Sequence, residues 1–100
     1  SQFVALLNTA SGLDYTEESF VHLGEAIWNL ERLYNLAAGI TAQEDRLPDI
    51  CFQVPEDMPP DAKPLTREDF ATLLRDYYAA RGWDAHGRPT PEKLAALGLA

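Results

Sequence analysis

One hundred residues, 46% hydrophobic and 24% charged, place this chain among globular domains, outside the disordered class, with room for one modest core. Eight Lys and Arg against sixteen Asp and Glu give a formal charge of -8, which repels phosphate backbones and anionic headgroups and argues against nucleic acid or a membrane surface as partner. No stretch nears the roughly 20 apolar residues of a membrane span, and no basic leader precedes Phe3; the lone Cys51 excludes an intrachain disulfide, so a cytoplasmic address is expected.

Phe3, Leu6, Leu7 and Ala10 fall at helical spacing, and Gly12 follows as a cap, which predicts a short first helix. Ser1 either caps that helix or marks a cut through a longer one. The strongest local signal runs from Asp14 to Gly39. Asp14 or Thr16 can cap, Glu17 and Glu18 suit the positive end of the helix dipole, and Gly39 terminates.

Phe20, Leu23, Ile27, Leu30 and Tyr34 form a stripe on this long helix, widened by Ala26, Leu33 and Ala37 and extended by Val21, Trp28 and Leu36. Its polar face shrinks to Glu18, His22, Glu25, Asn29 and Arg32. A helix apolar around most of its circumference needs cover on more than one side, and the other helices here are short. Part of its surface is therefore expected to meet a partner.

From Ile40 to Pro64, five prolines prevent a long helix and predict an extended connection. Leu47, Ile50, Phe52 and Val54 are its expected anchors to a surface. Thr66, with Glu68 and Asp69 behind it, opens a medium helix through Phe70, Leu73, Leu74, Tyr77 and Tyr78 to Gly82. Trp83 leads into the polar turn Asp84-Ala85-His86-Gly87-Arg88. Thr90-Pro91 then starts a last short helix with Leu94, Leu97 and Leu99 apolar. No alternating run requires a strand, so the expected fold class is all-α: a single helical domain, residues 1–100, with one long central helix, a medium second one, short terminal helices and a long proline-containing connection.

Chemistry is sparse. Cys51, between Ile50 and Phe52, has Asp49 as its nearest charge and nothing basic to stabilise a thiolate, so a buried or half-buried structural thiol is expected. His22, near Glu18 and Glu25 on the long helix, has metal-ligand spacing but also that of an ordinary surface pair. His86 beside Asp84 is expected to be solvated or capping. The doublets Glu17-Glu18, Glu44-Asp45, Glu56-Asp57 and Glu68-Asp69 lack calcium-loop spacing and are read as solvated faces. The segment Val54-Pro55-Glu56-Asp57-Met58-Pro59-Pro60 reads as a plain crossing rather than a docking peptide. No phosphate loop, serine elbow or metalloprotease motif occurs. No catalytic, cofactor-binding or metal-binding residue is assigned.

Four stretches resemble, in order, the C-terminal part of the aldehyde ferredoxin oxidoreductase family. They are Leu7-Asn8-Thr9-Ala10-Ser11-Gly12 with Asp14 to Glu18; Ile27-Trp28-Asn29-Leu30-Glu31-Arg32-Leu33-Tyr34-Asn35; Asp45-Arg46-Leu47-Pro48; and Tyr77-Tyr78 to Leu99. The resemblance implies a parent enzyme that oxidises aldehydes to carboxylic acids at tungsten held by pterin dithiolenes. It also implies electrons leaving through an iron-sulfur cluster to ferredoxin. The family's pterin and cluster motifs match nothing here, Cys51 included, so these helices are expected to support such sites from outside, with the rest of the parent chain as partner. The competing expectation is a free-standing helical module that binds a partner protein through the long helix or the proline segment.

Overall fold

The computed structural model describes residues 1–100, and its regular structure is helical, the only β feature being an isolated bridge between Trp83 and Pro89. Four helices follow in order: α1 (Gln2–Ser11), α2 (Glu17–Ala37), α3 (Arg67–Arg81) and α4 (Pro91–Ala96). Short 3-10 turns at Ala42–Glu44 and Asp49–Phe52 punctuate the connection between α2 and α3.

Local chemistry sets the helix ends. The Ser1 hydroxyl accepts a 3.4 Å bond from the Val4 N–H, and Gly12, in the left-handed conformation, closes α1. Thr16, not Asp14, caps α2: its hydroxyl accepts from the Ser19 N–H while Ser19 Oγ accepts from the Thr16 N–H. Thr66 and Asp69 repeat that reciprocal pair on α3. α2 ends at Ala37 with Ala38 as its cap, and Gly39 takes the positive φ just beyond.

The connection is held less firmly than its apolar residues promise. Leu47 and Phe52 are half-buried. Phe52 sits edge-on to Phe70 under the Arg67 guanidinium, which also pairs with Asp49 at 2.8 Å. Ile50 and Val54 are exposed and anchor nothing in this chain. Cys51 is exposed too, correcting the expected buried thiol: the 3-10 turn aims Phe52 inward and leaves its neighbours outside.

The shape is long, 55 × 32 × 21 Å, with a radius of gyration of 18.5 Å, against about 13 Å for a compact domain of this length. The exposed surface is 7737 Å². A compact monomer of this mass exposes about 5,700 Å², leaving an excess of about 2,000 Å². Only Val4, Tyr78, Trp83 and Leu97 are buried large apolar residues.

Candidate functional site: a polar network between α2 and α3

α2 is turned opposite to its hydrophobicity. Asn29 is wholly buried and Arg32 is 9% exposed, while Ile27, Leu30 and Tyr34 on the other side are exposed, Tyr34 to 75%. Of the polar face, Glu25, Asn29 and Arg32 therefore meet α3 and the segment after it, while Glu18 and His22 stay exposed. Solvent takes the apolar stripe.

Arg32 is the centre. Its Nη1 and Nη2 donate to the two Asp45 carboxylate oxygens at 3.0 and 2.6 Å, a bidentate pair, and its Nε donates to the Gly87 carbonyl at 2.8 Å. The guanidinium stacks over Trp83 at 4.8 Å and Tyr78 at 5.7 Å from the ring centroids. The Tyr78 hydroxyl donates to Asp45 in a short bond. Asp45, expected to be a solvated member of an acidic doublet, thus joins the connection to both helices.

Asn29 forms a second layer. Its amide donates to the Glu25 carbonyl at 2.9 Å, and its Oδ1 accepts from Trp83 Nε1 at 2.8 Å. Glu25 bridges Arg81 at 2.8 Å and Lys93 at 3.2 Å, tying α2 to the end of α3 and to α4. Every buried side-chain nitrogen and oxygen has a partner. That completeness matters, because a polar contact left half-satisfied in a dry site costs more than an apolar one.

The turn after α3 delivers the Gly87 carbonyl. Gly82, at φ 71°, ends α3, and the Asp84 carboxylate accepts the His86 and Arg88 N–H groups at 2.8 and 3.0 Å. Those bonds, that to Arg88 first, hold Asp84 below its ordinary carboxylate range against the small cost of burial. Gly87 has φ +69°, and a Cβ built there would lie 2.2 Å from Arg32 Nη2 and 2.9 Å from Tyr78 Cζ, so both backbone and space require glycine. His86 itself is exposed.

The charges are mutually stabilised. The hydrogen bonds from Arg32, opposed by burial and joined by that from Tyr78, hold Asp45 below the usual carboxylate range, and Asp45 in turn raises Arg32. Burial alone would raise Glu25, but the Lys93 bond, the Lys93 and Arg81 charges and the Asn29 amide together hold it low. Tyr78 is pushed up to about 12, by burial first and then by its bond to Asp45.

These directions fix the pH window. Asp45 is depressed in the fold, so its contribution is present above the ordinary carboxylate range of about pH 4 and is lost as the pH falls through its lowered value. Tyr78 is raised, so its contribution is whole below the unfolded phenol value of about 10 and is lost as the pH rises through about 12. Spectrophotometric titration is expected to show a phenol ionising near pH 12, a component that Tyr78→Phe removes.

A cleft of about 270 Å³ opens between α2 and α3, lined by Trp28, Arg32, Asp45, Phe70, Tyr77 and Tyr78 among others. Its polar groups face one another rather than converging on a free position: Trp28 Nε1 donates to the Tyr77 hydroxyl, and Arg81 stacks on both rings. His22 is exposed on α2, and no three His, Cys, Asp or Glu side chains gather in a way that could hold a metal ion. No helix is long and apolar enough to cross a membrane.

Asn29 and Arg32 were legible only as residues of the long helix. The available signal was a large amide and a guanidinium, three residues apart, inside a stretch otherwise dominated by Trp, Leu and Tyr.

The family model described as aldehyde ferredoxin oxidoreductase, domains 2 & 3, matches residues 1–99. A tungsten-containing aldehyde ferredoxin oxidoreductase of Pyrococcus furiosus is 42% identical over 96 residues, covering 95% of this chain and 16% of the relative. That of Thermococcus kodakarensis is 38% identical over 96 residues, with 95% and 16% covered. The aliphatic sulfonate oxidoreductase, WOR-like subunit, of Pyrococcus furiosus is 30% identical over 98 residues, with 92% and 16% covered. The chain spans about 16% of the length of the curated relatives it matches.

Proposed function

Because the chain belongs to the aldehyde ferredoxin oxidoreductase family, we propose that these 100 residues are one helical domain of a longer cytoplasmic oxidoreductase and support its catalytic parts from outside. The parent oxidises aldehydes to carboxylic acids at tungsten held by a pterin, with electrons passing through an iron-sulfur cluster to ferredoxin.

The observation that carries the supporting role is the inversion of α2. A helix that buries Asn29 and Arg32 and leaves Ile27, Leu30 and Tyr34 in solvent is incomplete unless something else covers the apolar side. The surface excess of about 2,000 Å² over a compact monomer supports the same reading. One partner in a standard protein interface buries about 800 Å², so the excess is enough for broad seating on a larger body.

We assign none of this chain's residues to the parent's cofactors. Arg32, Arg67, Arg81 and Lys93 are each committed to a carboxylate, and Cys51 stands alone on the surface. No pterin, cluster or metal ligand is assigned here, and no reaction step is routed through these groups. What the network supplies is position: it fixes the angle between α2 and the α3–α4 end, and so the direction in which the apolar stripe faces.

The test is activity. The native polypeptide carrying this sequence, isolated from its source, is expected to reduce ferredoxin at the expense of an aldehyde, and the 100-residue chain alone to be inactive. Aldehyde oxidation by the isolated chain, or none by the native polypeptide with its metals in place, would overturn the proposal.

A further inference from the structure

Phe20, Leu23, Ile27, Leu30 and Tyr34 are spaced by three, four, three and four residues along α2. That is the seven-residue repeat of a helix-to-helix seam, and it drifts around an ideal helix by only about 20° per repeat. Four of the five are exposed and Leu23 is half-buried. In the same repeat Glu25 and Arg32 share one position and His22 and Asn29 another, both on the side away from the seam. Three of those four face this chain's own network. The side that a coiled-coil helix normally shows to water is here inside, and the seam side is open.

A seam of this spacing accepts a second helix whose ridges enter its grooves at about 20° with axes 8–10 Å apart. Its length, from Phe20 to Tyr34, is about 21 Å at about 1.5 Å per residue. Beside it lies Gly24, in the middle of α2 with no positive φ, where an added Cβ would meet nothing within 4 Å. A glycine inside a helix is markedly less favourable than alanine. Neither strain nor crowding within this chain accounts for it, whereas a neighbouring helix passing close to the backbone does. On the same flank Glu31 supplies a negative charge.

We propose that the seam is occupied by an apolar-striped helix of the parent polypeptide, outside these 100 residues, with basic side chains along the flank that meets Glu31. The proposal rests on the reading of the chain as one domain of a longer oxidoreductase. A second copy of this chain is a poorer occupant: it would bring its own Glu31 to the pairing, and each copy carries a formal charge of -8.

Photo-crosslinking in the native polypeptide tests it, with p-benzoylphenylalanine placed in turn at Phe20, Ile27 and Tyr34, and at His22 as control. The three seam positions are expected to link to one segment of the same polypeptide, at sites stepping in order by about seven residues, and His22 to none of those sites. Links to a second copy, to several unrelated segments or to sites stepping by about two as in a strand would overturn the helix, as would no links at all. A native polypeptide of about this length with no larger partner would instead remove the parent, an outcome visible by mass before any crosslink is made.

Discussion

Arg32→Leu is expected to destabilise the fold by about 3 kcal/mol, at the lower end for breaking a buried ion pair because Asp45 keeps some exposure. The substitution preserves much of the volume against Trp83 and removes the charge. It leaves the Asp45 carboxylate with Tyr78 as its only strong donor and the Gly87 carbonyl without its guanidinium. Pairing it with Asp45→Asn removes the stranded charge, so the double variant should lose less than the sum of the single losses, with a coupling of about 1–2 kcal/mol. Urea unfolding of the four proteins, followed by tryptophan emission, measures this directly. Simple additivity would show that Arg32 acts without Asp45, through its bond to the Gly87 carbonyl and its stacking on Trp83 and Tyr78.

Gly87→Ala is the second large effect, expected at about 3 kcal/mol. The left-handed conformation charges an alanine about 1–2 kcal/mol. The remainder comes from the 2.2 Å approach of its Cβ to Arg32 Nη2, which has to move and loses its bonds to Asp45. Gly98 provides the comparison: its φ is +71°, close to that of Gly87, but nothing lies within 4 Å of an added Cβ. Gly98→Ala should therefore cost only the conformational part. Equal losses at the two positions would mean that the contact with Arg32 carries no energy. Because Gly87→Ala also disturbs the Tyr78–Asp45 bond, the late phenol ionisation near pH 12 should move back toward the ordinary value in that variant.

The helices were legible from the sequence because their ends are decided by neighbours in the chain. Gly12, Thr16, Thr66, Gly82 and Thr90-Pro91 each do chemistry within a few residues of themselves, and each stands where that chemistry predicts. The orientation of α2 was not legible. Periodicity separates two faces of a helix without stating what covers either, and the rule that the apolar face turns inward holds for a protein with all its partners in place. Here the apolar side is left over and the polar side is satisfied internally. Asp45 was hidden for a related reason: its partners lie 13 and 33 residues away, so in sequence it is only half of an acidic doublet.

Cys51 shows the same limit at smaller scale. An apolar pair flanking a cysteine suggests burial, yet a 3-10 turn directs only Phe52 toward a neighbour, and Ile50 and Cys51 stay outside. By contrast, the stretch Ile27 to Asn35, which carried the family resemblance, contains Asn29 and Arg32 at the heart of the network. The stretch from Tyr77 to Leu99 contributes Tyr78, Trp83 and Gly87 to it. Most of the residues that hold its helices at a fixed angle lie within the stretches by which the chain was recognised.

The central claim is that these helices serve as one part of a larger tungsten enzyme, and the mass and metal content of the native polypeptide test it most directly. Isolated from its source with an antibody against the 100 residues, that polypeptide is expected to be several times longer, as the 16% coverage of its relatives implies, and to carry tungsten and iron. A metal-free native chain of about this length, with no larger partner bound, would contradict the account.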